Sequence, residues 1–165
     1  MTNLQYNPIS FKPTRFFCLF KDGEVTIGQS MAVAHYCARL AKLEGEGADW
    51  ATSEMMIEEH NDIFALFGKA KGLNSAEGWD ACVKEDVPKH LAMLEGKLTA
   101  SGFFGSTLCA GDVAICNVIN FAMDIGGLDM APFPKLSALY ASLCAGEGAC
   151  ASYIAEAPPP YFKRP

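Results

Sequence analysis

The stretch GEVTIGQSMAVAHYCARL, residues 23–40, decides how the chain is read. Its first half is a short β-branched run ending at Ile27. Gly28 and Gln29 then lead to Ser30, a helix-capping residue type, and the apolar positions Ala32, Val33, Tyr36, Cys37 and Leu40 recur at mostly three- and four-residue steps. That spacing predicts a strand followed by a helix over 30–43, with one face buried. A helix start of this kind presents unpaired backbone N–H groups and the positive end of a dipole, which suits it to hold an anion.

On the N-terminal side, RFFCLFKDGEVTI (15–27) contains two apolar runs separated by Lys21-Asp22-Gly23-Glu24. Asp-Gly between strand-like runs predicts a β-hairpin. Residues 1–13 are polar and interrupted by Pro8 and Pro13, the composition of an arm without regular structure. FFCLF (16–20) has no polar alternation, the pattern of a strand covered on both faces, yet a lone hairpin is marginal in water. Phe16, Phe17, Leu19 and Phe20 are therefore expected to meet another protein chain, as a homodimer or within a larger assembly.

Beyond Gly45 the sequence reads as helix after helix, over about 49–70, 75–99, 110–125, 134–145 and 149–156. Met56, Ile63, Phe64 and Phe67 form one apolar face, with Glu58, Glu59 and Asn61 on the other. Pro88 falls inside the second of these segments and is expected to bend it, while Leu91, Leu94 and Leu98 continue its buried stripe. Gly126-Gly127 ends the third. Trp50 and Trp79 read as packing residues.

The formal charge of -6 argues against nucleic acid or an anionic membrane surface, both of which require clustered Lys and Arg. No apolar run is long enough for a membrane span, and the first sixteen residues lack the charged start and apolar core of a signal peptide. Seven cysteines, an odd number, show no CxxC spacing, so they are read as reduced thiols that fill the core, Cys37 among them. A soluble, reducing compartment follows, either cytoplasm or an organelle interior. His35, His60 and His90 fall on three helices without paired spacing, and no metal site is expected.

Several segments, taken in order, carry a resemblance. DGEVTIGQSMAVAHYCARLAKL (22–43), VPKHLAMLEGKL (87–98), FFGSTLCAGDVAI (103–115), FPKLSALYASL (133–143) and ASYIAEAPPPYF (151–162) together resemble the glutathione transferases, most closely the sigma-like class, from about Arg15 to Phe162. The resemblance implies a mainly α fold: a complete C-terminal helical domain over 46–165, preceded over 15–45 by a hairpin-plus-helix remnant of a thioredoxin-like domain and over 1–14 by an arm. It also implies roles for particular residues. Gln29 and Ser30 match the pair that grips the γ-glutamyl end of glutathione, and Asp62 matches an acid that reaches the partner subunit's glutathione. Tyr6, in LQYN, faintly resembles the family's first strand and is the one candidate for a catalytic hydroxyl. Phe17 stands where the family has a cis-proline. Cys109 replaces the usual Ser or Thr cap of the folding motif, while Asp112 keeps its place three residues on.

The first strand and helix and the second strand and helix of the thioredoxin-like half have no counterpart in the sequence. The reading is accordingly a glutathione-transferase-like protein without transferase chemistry, a structural or binding subunit of a larger assembly that requires no cofactor and binds glutathione weakly. Two alternatives stand beside it: a genuine glutathione transferase whose N-terminal segment is absent from this chain, and a carrier of small hydrophobic ligands.

Overall fold

The computed structural model of the chain describes residues 19–156, apart from the side chain of Leu19. The expectations for Tyr6, Phe16, Phe17, Cys18, the arm and the proline-rich tail lie outside the described residues. The chain divides into two compact units, Met1–Glu44 and Gly45–Pro165.

In the first unit, β1 (Leu19–Asp22) and β2 (Val25–Gly28) pair antiparallel, with Leu19 opposite Gly28 and Asp22 opposite Val25. The turn is Gly23-Glu24, one residue later than an Asp-Gly centre. Gly23 has φ of 56° and Glu24 does not share the positive φ, the requirement of a turn with glycine in its first central position. Helix α1 (Ser30–Leu40) follows and ends three residues short of the expected 43. Its expected buried face is not buried: Ala32, Cys37 and Leu40 are exposed, Val33 and Tyr36 are half-buried, and Ala38 alone is enclosed. A two-stranded hairpin is too narrow to cover a stripe of five residues. The Tyr36 hydroxyl instead donates to the Asp22 carboxylate at 3.0 Å, and the rings of Phe20 and Tyr36 lie 5.9 Å apart, tying helix to hairpin.

The second unit is helical throughout its described residues: α2 (Ala48–Leu73), α3 (Ala76–Ala81), α4 (Val87–Glu95), α5 (Ala110–Gly126), α6 (Pro134–Cys144) and α7 (Ala151–Glu156). Its core is built chiefly where α2 lies along α5. Met56, Ile63 and Phe67 of α2 and Ile115, Val118, Ile119 and Ala122 of α5 are all essentially removed from solvent. Phe121 packs against both Phe64 and Phe67 at centroid distances of 5.0 and 4.9 Å. Close approach of the two helices depends on Gly111, where a Cβ would sit 2.7 Å from the Ser53 carbonyl oxygen and 2.8 Å from the Met56 Cβ. Ser53 Oγ accepts from the Gly111 N–H at 3.0 Å, so the contact is also hydrogen-bonded.

The expected helix over 75–99 runs without a break from Ala76 to Glu95, as α3, a π turn and α4. Asn74, with φ of 47°, ends α2, and Ser75 Oγ accepts from the Gly78 N–H to cap α3. Cys82–Asp86 is then a π-helical turn in which the Val87 N–H reaches back to the Cys82 carbonyl. Pro88 follows at the start of α4. Its ring would crowd the carbonyl four residues earlier in a regular helix, and the wider π turn supplies the missing room. The helical backbone runs on through Pro88, which therefore stands inside the segment, with the π turn directly ahead of it.

Two of the packing assignments are corrected. Trp79 is buried, but Trp50 is 51% exposed. Among the cysteines Cys82, Cys109, Cys116 and Cys144 occupy the core and Cys150 is half-buried, while Cys37 is exposed; all six described thiols are free. No helix of the described residues is long and apolar enough to cross a membrane.

Candidate functional site

The start of α1 is the feature to which the sequence assigned binding. Its N-cap is Gln29, not Ser30, which is the first helical residue. Gln29 has φ of 74° and ψ of 122°, a positive-φ conformation that a side-chain-bearing residue adopts only under strain of about 1–3 kcal/mol. Its carbonyl accepts the first helical bond, from Val33 N–H at 3.0 Å, but its side chain makes no capping bond, and the first turn contains no acidic residue. Among the described residues, therefore, no side chain neutralises this helix end. Gln29 and Ser30 are both exposed there. The arrangement suits an incoming carboxylate, because the N–H groups and the dipole favour negative charge by about 0.3–1 kcal/mol.

Activating a thiol is a different task, needing a donor placed to lower the thiol's pKa. Tyr36 is the tyrosine in the described part of this unit, and its hydroxyl proton is committed to Asp22. That hydrogen bond is the main reason its pKa lies above the ordinary tyrosine value, with burial and the Asp22 charge adding to it. A phenol held this way resists ionisation and has its donor occupied.

In the second unit Asp62 lies on the exposed side of α2 and makes no hydrogen bond among the described residues. Two positions earlier the helix turns inward. His60 stacks on Phe64 with ring centroids 5.1 Å apart, and its Nε2 faces Asn117 Oδ1 of α5 at 3.3 Å, while its Nδ1 is buried without a partner. Burial lowers the His60 pKa, so the ring is held neutral. His90 Nδ1 meets Glu59 Oε1 at 2.6 Å, a pairing of α4 with α2 that no sequence spacing announced.

The folding motif is carried by an acid. Asp112 is buried, and its two oxygens accept from Cys109 N–H at 2.8 Å and Phe104 N–H at 2.9 Å. The helix start capped by Cys109 is thus secured by Asp112, whose pKa burial raises against the opposing pull of those N–H groups. Asp49 does similar work at the start of α2, accepting from the backbone and hydroxyl of Ser106, which pull its pKa below the ordinary carboxylate value. Glu95 accepts from the N–H groups of Lys135 and Leu136 at 2.8 and 2.9 Å and so caps α6 from forty residues away. Asp49 and Glu95 were not singled out from the sequence, because bonds to groups far along the chain have no local signature.

With the geometry described, the comparisons can be placed beside it. No protein-family model and no curated protein matches the chain. Among solved structures, the Pi-class glutathione S-transferase of Onchocerca volvulus is similar over 74% of this chain and 62% of its own length, with a TM-score of 0.64 and 23% identity. Rat hPGDS, solved in complex with a quinoline, is similar over 87% of this chain and 74% of its own, with a TM-score of 0.73 and 18% identity. This chain thus spans less than two thirds of the length of the first of them. The hairpin and α1 correspond to a portion of a thioredoxin-like half and the helices from α2 onward to an all-helical half, so the chain has the glutathione transferase fold.

Proposed function

We propose that the chain is a binding or structural subunit of a larger protein assembly, built on the glutathione transferase fold and without transferase chemistry, which keeps a weak site for the γ-glutamyl carboxylate of glutathione. The observation that carries the binding part is the start of α1: a strained Gln29, an exposed Ser30 and a helix end that no described side chain neutralises. The commitment of Tyr36 to Asp22 supports the non-catalytic part. No cofactor is required, Asp62 contributes as a charged group of the second unit, and the setting is a reducing compartment. The assembly part rests on the hairpin, whose two described strands leave edges of unpaired N–H and C=O groups, with Phe20 and Val25 partly or largely in solvent. A second chain covers the stretch 16–20.

Calorimetry with glutathione tests the site. The expected dissociation constant is in the millimolar range, about 4 kcal/mol of binding free energy, because a helix-terminal carboxylate contact is only part of what a micromolar complex needs. Ser30→Ala should weaken it several-fold. Micromolar binding together with turnover of an electrophilic aryl halide that Ser30→Ala abolishes would replace this reading with that of a genuine transferase. The assembly part is tested by sedimentation of the chain at micromolar concentration, where Phe20→Asp should shift the oligomer towards monomer with helicity retained; a monodisperse monomer before substitution, with protected amides at 19–20, would remove it.

A further inference from the structure

Three thiols converge at the far end of the helical unit. Cys144 is the last residue of α6, Cys116 lies on α5 and Cys150 stands just ahead of α7; Cys116 and Cys144 belong to the core of the unit and Cys150 packs against it. The chain between Cys144 and Cys150 doubles back tightly. Gly148 N–H donates to the Ala145 carbonyl at 3.0 Å and Cys150 N–H to the Leu143 carbonyl at 2.7 Å. Gly146 has φ of 59°, and a Cβ on Gly148 would lie 2.5 Å from the Leu143 carbonyl carbon, so the return is possible only with glycine at that point. Through the short bond between Cys150 N–H and the carbonyl next to Cys144, covalent geometry holds the two Cα atoms within about 7 Å of each other, inside the range that a disulfide spans.

Exposure separates the roles. Cys116 and Cys144 are buried, and burial pushes both of their thiols up, whereas Cys150 is half-buried against the core and open to solvent on its other side. Among the described residues no three His, Cys, Asp or Glu side chains are arranged to hold a metal ion.

We propose that Cys150 and Cys144 form a reversible disulfide in response to a peroxide, with Cys150 as the thiol that meets the oxidant and Cys144 as the thiol that resolves it. The Cys150 sulfur attacks one oxygen of hydrogen peroxide, breaking the O–O bond to give a sulfenic acid and water. The Cys144 sulfur then attacks that sulfenic sulfur, forming the S–S bond and releasing a second water, so that two thiols lose two electrons and two hydrogens to the peroxide. The closed ring fastens the start of α7 to the end of α6. Cys116 stays reduced behind them.

The experiment uses the full chain, reduced, treated with hydrogen peroxide, blocked with iodoacetamide and digested with trypsin without reduction. Cys144 and Cys150 fall in one tryptic peptide, 136–163, and Cys109 and Cys116 in another, 98–135. The expected product is peptide 136–163 lighter by two hydrogens and unalkylated, reverting with dithiothreitol, and accompanied by several-fold slower amide exchange over 151–156. A cross-link between the two peptides, or full alkylation of both thiols in 136–163 while the exposed Cys37 has been oxidised, would overturn the pairing. In Cys144→Ser the Cys150 sulfenic acid should persist and take up dimedone; a variant that takes up none would overturn the assigned order.

Discussion

Gln29 concentrates the functional argument in one backbone angle. A positive φ at a residue with a side chain is unfavourable, and nothing it packs against explains why it persists. Gln29→Gly should relieve the strain and raise stability by about 1 kcal/mol in urea unfolding, even after glycine's own entropic cost, while weakening glutathione binding. A loss of stability would show that the angle serves folding. His60 supplies a test of pH dependence. Its folded pKa is lowered by burial, so below its ordinary value near 6.5 the unfolded chain binds the proton more readily. Its contribution is present above that pH and is lost as pH falls through the window below it. His60→Gln keeps a donor for Asn117 but does not titrate, and the fall in melting temperature between pH 7 and 5 should be smaller in that variant than in the original chain.

Among the elements, the α2–α5 pair sets the rest of the helical unit. Gly111→Ala places a methyl group against the backbone of Ser53 and the Cβ of Met56, neither of which moves cheaply. The expected cost is about 1–3 kcal/mol, read as a melting temperature lower by about 2–4 °C for each kcal/mol. The Ser53 to Gly111 hydrogen bond would lengthen with it. Asp112 should keep its hydrogen bonds, since they run to the Phe104 and Cys109 N–H groups and not to the Ser53 and Met56 atoms that the methyl group meets.

For the molecule as a whole, the parts legible in sequence were those set by local rules. Periodicity located most helices within a few residues, Gly127 closed α5 where a left-handed residue was needed, and Met56, Ile63 and Phe67 were recognised as core. Rules that act at a distance were not legible. Trp50 and Cys37 have apolar side chains on helical faces, but no described neighbour encloses them, and periodicity says which residues share a face without saying what covers it. The candidate site divided in the same way. Gln29 and Ser30 were found through the order of residues, the strain at Gln29 was not, because a backbone angle leaves no mark on composition, and the commitment of Tyr36 to Asp22 emerged only once strand and helix were folded together.

The π turn at Cys82–Asp86 has one more implication, for the kinds of change that the gene tolerates. Trp79, Val83, Val87 and Leu91 are all buried at a constant spacing of four. A regular helix advances about 100° per residue, so each step of four drifts by about 40° around the axis. The wider turn takes some of that drift back and keeps the four on one side. Loss of a single codon between 82 and 86 would let the backbone relax into an ordinary helix with Leu91, Leu94 and Glu95 close to their present orientation, but Pro88 would then stand in a regular helix without the room that the wider turn supplies. Point substitutions at the exposed Lys84 and Glu85 should leave the melting temperature within about 1–2 °C, but deletion of either residue should cost about 3 kcal/mol, the cost of proline inside a regular helix. In this stretch the length of the message is under tighter constraint than its spelling.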